Sequence, residues 1–512
     1  MPSVAQSHPP SGPSAPLDNP ISSTNASSPT PFHVAIIGGG ITGINLALGL
    51  EHRGVLYTIY ERSPGFREIG AGIGFSPNAE EAMKLLNPEV YHAYKRTANP
   101  NGEDKFQWIN GLNDELLYSL PVGKDGFLGC RRSEILEEWG KLVPPEKIKF
   151  NKTVETVLEP GDEGYNPDED AKGKILLKFT DGTVDTADIV IGCDGIRSKL
   201  RNHVQSHLDP SSSSGPGRAV AKAGYTHKFC YRALVPMSRA VEAVGQYRCS
   251  TRFMYNGPGA HIITYPIGNN SVLNMLAVIS DPNEWPDEKR HVLPGNKEDI
   301  RQAFKGWHPT AEKLAELFPE QNEGGDGPIV KWGIFDTYDF PLPQYYAGRV
   351  AVAGDAAHAT GPHLGAGGGL GIEDALVLAE LLGKVPELQG SNLQAREADT
   401  EMILERVLYV YNDFRYARTQ KVVAWTRDAV DLFQWKDERV AKDGKKFGKL
   451  VKKKFHHVWF DLDLQEMMNW NMPKGMLEMA VLEVALAPTV KGAREFLGIG
   501  SGSDWSDEDA EW

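Results

Sequence analysis

The chain has 512 residues, with 54 basic against 68 acidic side chains and a net charge of −14. Its hydrophobic content of 41% and charged content of 24% suit a globular protein large enough for two or three domains, and the acidic balance argues against a nucleic-acid partner. Cys130, Cys193, Cys230 and Cys249 show no C-x-x-C spacing, so reduced thiols in a cytoplasmic setting are expected, with no metal site.

Residues 1–31 are rich in Ser, Pro and Ala and lack a basic stretch followed by an apolar one, which reads as a disordered tail rather than a signal peptide. No uninterrupted apolar run suggests a stable membrane span. The stretch from Phe32 to Arg62 then reads FHVAIIGGGITGINLALGLEHRGVLYTIYER. A strand at Val34–Ile37 leads into Gly38, Gly40 and Gly43 as G-x-G-x-x-G, followed by an apolar helix, a second strand Tyr57–Tyr60 and the acid Glu61. This is the full dinucleotide fingerprint. Gly38 serves the tight turn, Gly40 the approach of a pyrophosphate, and Gly43 the packing of helix on strand. Glu61 suits a ribose diol, so the nucleotide is ADP-like, FAD or NAD.

Gly65, Gly70, Gly72 and Gly74, with Ile69, Ala71, Ile73 and Phe75 between them, read as an irregular loop lying against something flat and apolar. Pro77, Glu80 and Glu81 open a helix. In FLGCRRSEILEEWGKLV, from Phe127 to Val143, Ser133 reads as a helix N-cap. Arg131 and Arg132 just before it are either a solvated pair or a response to a nearby anion. Residues 160–173 read as an acidic hairpin insertion. The segment DTADIVIGCDGIRSKLR, Asp185 to Arg201, runs a buried strand into Asp194-Gly195 and a helix. Residues 206–217 read as a linker at a domain boundary.

From 225 to 340 alternating β-rich runs predominate (Phe229–Val235, Arg252–Tyr255, His261–Ile267, Ser271–Ile279), with a helical pair at Asp299–Leu317 and an aromatic-rich connection at Trp332–Pro341. They predict an antiparallel-rich sheet. Gly348–Leu382 then repeats the cofactor-wrapping design: a strand, Gly354-Asp355, seven glycines to Gly371, and a helix begun by Glu373 and Asp374. The remainder reads as helical, with Tyr411, Arg415 and Arg418 on one face. The basic run Lys442–Lys454 is a solvated helix or a lipid-facing one. His456 and His457 read as local packing rather than metal ligands, and the C-terminal tail is acidic.

Three segments stand in a fixed order: the fingerprint with Glu61, D-x-V-I-G-C-D-G-x-x-S-x-x-R from Asp188 to Arg201, and G-D-A-A-H from Gly354 with Pro362 and the glycines. In this the chain resembles the single-component FAD-dependent aromatic hydroxylases of the salicylate and para-hydroxybenzoate hydroxylase superfamily. FREIGAGIGF, GCRRSEIL, HKFCYRALVPM, AHIITYPI, SDPNEWPD, IFDTYDFP and HHVWFDLD are similar to a fungal branch that hydroxylates or dearomatises phenolic polyketides. The family's G-Q-G-x-N-x-G departs here to Gly365-Ala366-Gly367-Gly368-Gly369-Leu370-Gly371, without the Gln and Asn.

The resemblance implies an α/β fold: a Rossmann-like FAD-binding domain in two parts (32–205 and 341–385), an antiparallel-rich β-sheet substrate domain (218–340) and a helical C-terminal region (386–500), followed by an acidic tail (501–512). It implies FAD bound by the fingerprint glycines and Glu61, with Gly72 and Gly74 beside the flavin and Gly367 and Gly368 over its ring. Arg132 and Asp355 would lie at the ribityl–pyrophosphate region, and Asp194 near FAD and NAD(P)H. NAD(P)H as transient reductant and O2 as co-substrate would give a flavin C4a-hydroperoxide that oxidises a small phenolic substrate held by Arg232 and Tyr265. Read alone, Arg232 better suits an ion pair at a domain seam, and Tyr265 an ordinary core position. A monomer or homodimer is expected. Other readings are decarboxylative hydroxylation of a salicylate-type acid, a nicotinamide dehydrogenase, and a flavin-binding protein without turnover. The W-x-W-x-I-P stretch of flavin halogenases and the F-x-G-x-x-x-H stretch of Baeyer–Villiger enzymes are absent from the sequence.

Overall fold

The computed structural model describes residues 31–66, 72–99, 102–123, 126–168, 171–208, 222–287, 290–321, 329–390, 400–436, 440, 443–460 and 464. The expected terminal tails, Ile69 to Ala71, and the linker beyond Leu208 lie outside them; Ser206 to Leu208 continue the helix Lys199–Leu208.

The run HVAII is buried along almost its whole length, so it needs a sheet neighbour on each side and a helix on each face. It obtains them at the centre of a six-stranded sheet. The order is Tyr346–Ala347, Val350–Val352, Ile189–Gly192, His33–Ile37, Leu56–Tyr60 and Ile148–Lys149. All neighbours are parallel except the edge pair Tyr346–Ala347 with Val350–Val352. Ile37 is in register with both Tyr60 and Gly192, and Gly192 with Val352. The strands therefore end together, and their carboxyl ends carry all three glycine-and-acid segments along one edge, where open α/β sheets leave a ligand crevice.

The fingerprint helix Ile41–His52 packs on the helix Gly367–Gly383. They sit so close at Gly49 that a Cβ there would lie 2.8 Å from the Ala379 methyl group. Both helices begin at the crevice. The latter starts at Gly367, ahead of the expected Glu373; a Cβ at Gly368 would lie 3.1 Å from Phe75 and one at Gly369 3.0 Å from Ala79, so these glycines allow close packing on the strand and helix beside them. A three-stranded antiparallel sheet forms from Val154–Leu158, Ile175–Phe179 and Val184–Ala187, the first two closing the acidic hairpin.

A second sheet has eight strands, in the order Val292–Pro294, Val330–Asp336, Gly224–Pro236, Val272–Ser280, Ala260–Ile267, Arg252–Gly257, Lys105–Asn110 and Leu116–Pro121. It is antiparallel except where Arg252–Gly257 meets Lys105–Asn110. Two of its strands thus come from the segment before residue 122. Of the aromatic stretch Trp332–Pro341 expected as a connection, the first half belongs to the strand Val330–Asp336, paired with Gly224–Pro236, and residues 337–341 form the connection. One face packs Phe229, Tyr231, Leu273 and Met275 against Ile300, Leu314 and neighbouring helical residues. The opposite face presents Arg232, Leu276, Ile263 and Met254 in one cross-strand row. Part of it is covered by the long helix Thr400–Phe433 and by Gly444–Trp459, through Phe433, Phe455 and Trp459. Among the described residues no helix is long and apolar enough to cross a membrane.

Two further expectations change. Gly72–Phe75 is a strand, antiparallel to Leu128–Arg131, rather than a loop. The helix Arg132–Gly140 is N-capped at Arg131, with no side-chain cap, so Ser133 lies inside its first turn.

Candidate functional site

At the carboxyl edge of the six-stranded sheet lies a cleft lined by Gly38, Gly40, Glu61, Arg132, Asp194, Asp355, Gly367 and Gly368. Eight of the thirteen expected site residues therefore meet in one cleft, although up to 330 positions separate them in sequence. Gly38 has φ +105° and its N–H donates to the Tyr60 carbonyl; a Cβ there would strike the Cys193 carbonyl, and one at Gly43 would strike the Gly38 carbonyl. Gly43 thus works behind the lining, as a packing residue. A Cβ at Gly40 would meet nothing within 4 Å: that position faces open space, a cradle for a group brought in from outside.

The acids around this cleft are oriented from behind. Glu61 accepts from the Gly39 N–H at 2.7 Å and from the Ser63 N–H at 2.8 Å. Asp194 Oδ2 accepts from the Lys199 N–H at 2.7 Å at the start of Lys199–Leu208, while its Oδ1 is buried without a partner. Burial raises the Asp194 carboxyl above its ordinary value, against the Ser198, Lys199 and Leu200 donors. Asp355 begins the short helix Asp355–His358 and is exposed to the cleft. Two helix N-termini, an open glycine and an orphaned carboxylate oxygen fit a dinucleotide: the helix ends suit its phosphates and the acids its hydroxyls. Lys152 and Arg197 also line the cleft. Arg197 occupies a variable position of the Asp188–Arg201 segment and Lys152 lies outside all three segments, so neither was singled out from sequence.

A buried ionic cluster holds the third segment in place. Asp374 accepts from the Gly354 N–H at 2.8 Å and faces His358 Nε2 at 2.6 Å. Arg415 meets Asp374 and Glu373, each at 2.7 Å, and Arg418 donates twice to Glu373 at 2.8 Å. Burial alone would raise the Glu373 carboxyl, but Arg418 and Arg415 hold it down at about 2. The helix face of Arg415 and Arg418 was legible in sequence; the acids it serves were not.

Arg232 and Tyr265 lie outside this lining, on the partly covered face of the eight-stranded sheet, where Tyr265 is buried. Arg232 is exposed, with its guanidinium 4.7 Å from the Trp332 ring centroid, and it pairs with no carboxylate among the described residues. Tyr265 is in register with Asn274, whose Oδ1 accepts from the Gly72 N–H at 3.2 Å. A Cβ at Gly72 would lie 3.0 Å from the Tyr265 hydroxyl oxygen. Gly72 therefore joins the sheet face to the strand beside the cleft, while Gly74 faces the Phe127 ring. Arg232 and Tyr265 are two strands apart, roughly 10 Å across the sheet.

Beside Tyr265 is a residue the sequence did not flag. Arg252 is 1% exposed, and its Nε and Nη1 have no hydrogen-bond partner. Its guanidinium sits 4.4 Å from the Phe127 centroid and 5.6 Å from that of Tyr265. Phe127 itself has φ +58° and stacks on Trp459 at 4.5 Å. Burial pushes Tyr265 up to about 12, with Arg252 the main opposing influence.

A sequence profile described as an FAD binding domain matches residues 290–402. The FAD-dependent monooxygenase orf3 of Aspergillus niger is 40% identical over 447 residues, covering 85% of this chain and 95% of that protein. The dual trans-enoyl reductase/FAD-dependent monooxygenase tazHJ of Aspergillus terreus is 39% identical over 459 residues, 89% of this chain; the chain spans 61% of that longer protein. Among solved structures, a salicylate hydroxylase substrate complex superposes with a TM-score of 0.69 at 28% identity, over 86% of this chain and 97% of the other.

Proposed function

The chain belongs to the FAD-dependent monooxygenases of salicylate hydroxylase type, and from that premise we propose that it hydroxylates a phenolic ring held between Arg232 and Tyr265. The observation that carries this reading is the exposed, carboxylate-free guanidinium of Arg232 on the sheet face that also bears Tyr265. FAD, when bound, takes electrons from a nicotinamide and activates O2 for transfer to the ring. The chain's own residues do the rest. Gly38, Gly40, Glu61, Arg132, Asp194, Asp355, Gly367 and Gly368 hold the dinucleotide, with Gly43 packing the loop behind it. Gly72 and Gly74 bring the strand Gly72–Phe75 against the sheet. Arg232, permanently cationic, holds the substrate oxygen as a phenolate, the electron-rich form that oxidation needs. Tyr265 donates to or orients the same oxygen. Residues 32–205 and 341–385 serve as the cofactor domain and 218–340 as the principal source of the substrate domain. The substrate class is an aromatic polyketide phenol, a reading in keeping with fungal relatives named as FAD-dependent monooxygenases.

Arg232→Gln tests the reading. The variant is expected to retain FAD while substrate-dependent NAD(P)H oxidation falls by about a hundredfold or more; an unchanged rate removes Arg232 from the mechanism. The similarity to a salicylate hydroxylase favours a second substrate, a salicylate-type acid whose carboxylate Arg232 would hold. Product analysis separates the two: CO2 and a catechol, against retained carbon.

A further inference from the structure

At the end of the six-stranded sheet away from the cleft, four side chains converge from two elements. His203 and His207 are one helical turn apart on Lys199–Leu208, so both imidazoles leave the same face. Their ring centroids are 4.0 Å apart. Glu159 and Asp162 come from the turn after Val154–Leu158. Glu159 Oε1 is 3.4 Å from His203 Nε2, and Asp162 Oδ1 is 3.0 Å from His207 Nε2. The ligand atoms of Glu159, His203 and His207 all lie within 4.8 Å of one another.

Each of three donors is also aimed by a backbone group. The Arg349 N–H donates to Glu159 Oε2 at 2.9 Å, leaving Oε1 for the cluster. The Glu159 N–H donates to Asp162 Oδ2 at 2.8 Å, leaving Oδ1. His207 Nδ1 lies 2.9 Å from the His203 carbonyl. A carbonyl only accepts, so Nδ1 carries the proton, and Nε2 of the neutral ring is a lone pair facing a carboxylate. Two lone pairs at 3.0 Å repel unless a proton or a cation lies between them. Oriented imidazole and carboxylate donors of this kind are the usual surroundings of a borderline-soft divalent metal.

We propose that Glu159, His203 and His207, with Asp162 beside them, form a binding site for one divalent transition-metal ion of the zinc type. Glu159, His203 and His207 supply three donors, and Asp162, beside His207, adds a second negative charge to balance the ion. The ion clamps the helix Lys199–Leu208 to the turn after Val154–Leu158 and, through Glu159, to the Arg349 backbone. The role is structural, since the site lies at the opposite end of that helix from the cleft. The cysteine spacing and the His456–His457 pair, which sequence weighed, have no part in it. His203 and His207 escaped notice because their partners lie 44 and 45 positions away.

The test uses full-length FAD-loaded protein stripped with EDTA and dialysed against zinc chloride at pH 8. Bound zinc is counted by atomic absorption, and the thermal midpoint is followed with and without zinc. Wild type is expected to bind one zinc per chain and to gain thermal stability. His203→Ala and His207→Ala each should lose roughly tenfold or more in zinc affinity, together with the thermal gain. His207 is partly exposed, so its truncation leaves the fold intact. Equal zinc binding in wild type and the His207 variant, or no binding at micromolar zinc, overturns the proposal.

Discussion

A buried guanidinium with no hydrogen bond is costly unless a polarisable or negative neighbour faces it. Arg252 has the Phe127 and Tyr265 rings and no carboxylate, so its compensation is aromatic. Burial lowers it to about 10, which still leaves it charged at neutral pH. Arg252→Met should therefore leave the thermal midpoint unchanged or raise stability by about 1 kcal/mol. The same change removes the cation beside Tyr265. Its phenol, already at about 12, should become less acidic, seen as an upward move of the alkaline limb of the pH–rate profile. A lowered midpoint with an unmoved limb would make Arg252 a packing residue only. Gly43 gives a second test: a Cβ there collides with the Gly38 carbonyl, so Gly43→Ala should cost about 1–3 kcal/mol and weaken cofactor retention, measured by denaturant unfolding and flavin release. The roles of Gly38, Gly40 and Gly43 were readable because a fingerprint compresses three backbone demands into six positions. Arg252 was not readable, because nothing local distinguishes an arginine that will stack on rings from one that will reach water.

The helix Gly367–Gly383 is stable only with its acids paired. Glu373 and Asp374 are wholly buried, so their charge rests on Arg415 and Arg418 from the helix Thr400–Phe433, and on His358. Glu373→Gln should cost about 3–5 kcal/mol, because it leaves Arg418 without a carboxylate and Arg415 with only one of its two; a denaturant midpoint reads this directly. The pH dependence follows in sign. Glu373 is depressed from 4.5 to about 2, and Asp374 is also depressed. Their stabilisation is complete above the ordinary carboxylate value and is lost as pH falls from there toward the folded value. The wild-type denaturant midpoint should fall between about pH 5 and about pH 3, more steeply than that of Glu373→Gln. Equal slopes would show that this cluster does not set acid stability. At this scale the strands Gly224–Pro236, Ala260–Ile267 and Val272–Ser280 were legible from alternation. Val330–Asp336 was hidden because aromatics fill both its faces, and the early start of Gly367–Gly383 was hidden because glycines read as loop until their neighbours are known.

Across the molecule, the in-register parallel strands bring segments from residues 38, 194 and 355 to one edge. The order of those segments was visible in sequence; their convergence depends on register, which no single segment encodes. The place of Arg232 and Tyr265 on one sheet face likewise depends on pairings through Val272–Ser280. Gly40 isolates the central claim, since it lines the cleft and a Cβ there meets no protein atom within 4 Å. The decisive measurement is the flavin stoichiometry of wild type and Gly40→Val after reconstitution with FAD, with unfolding midpoints of both FAD-free proteins alongside. One FAD per wild-type chain and none on an equally stable variant is the predicted result. A colourless wild type, or a variant that retains FAD as well as wild type does, would contradict it.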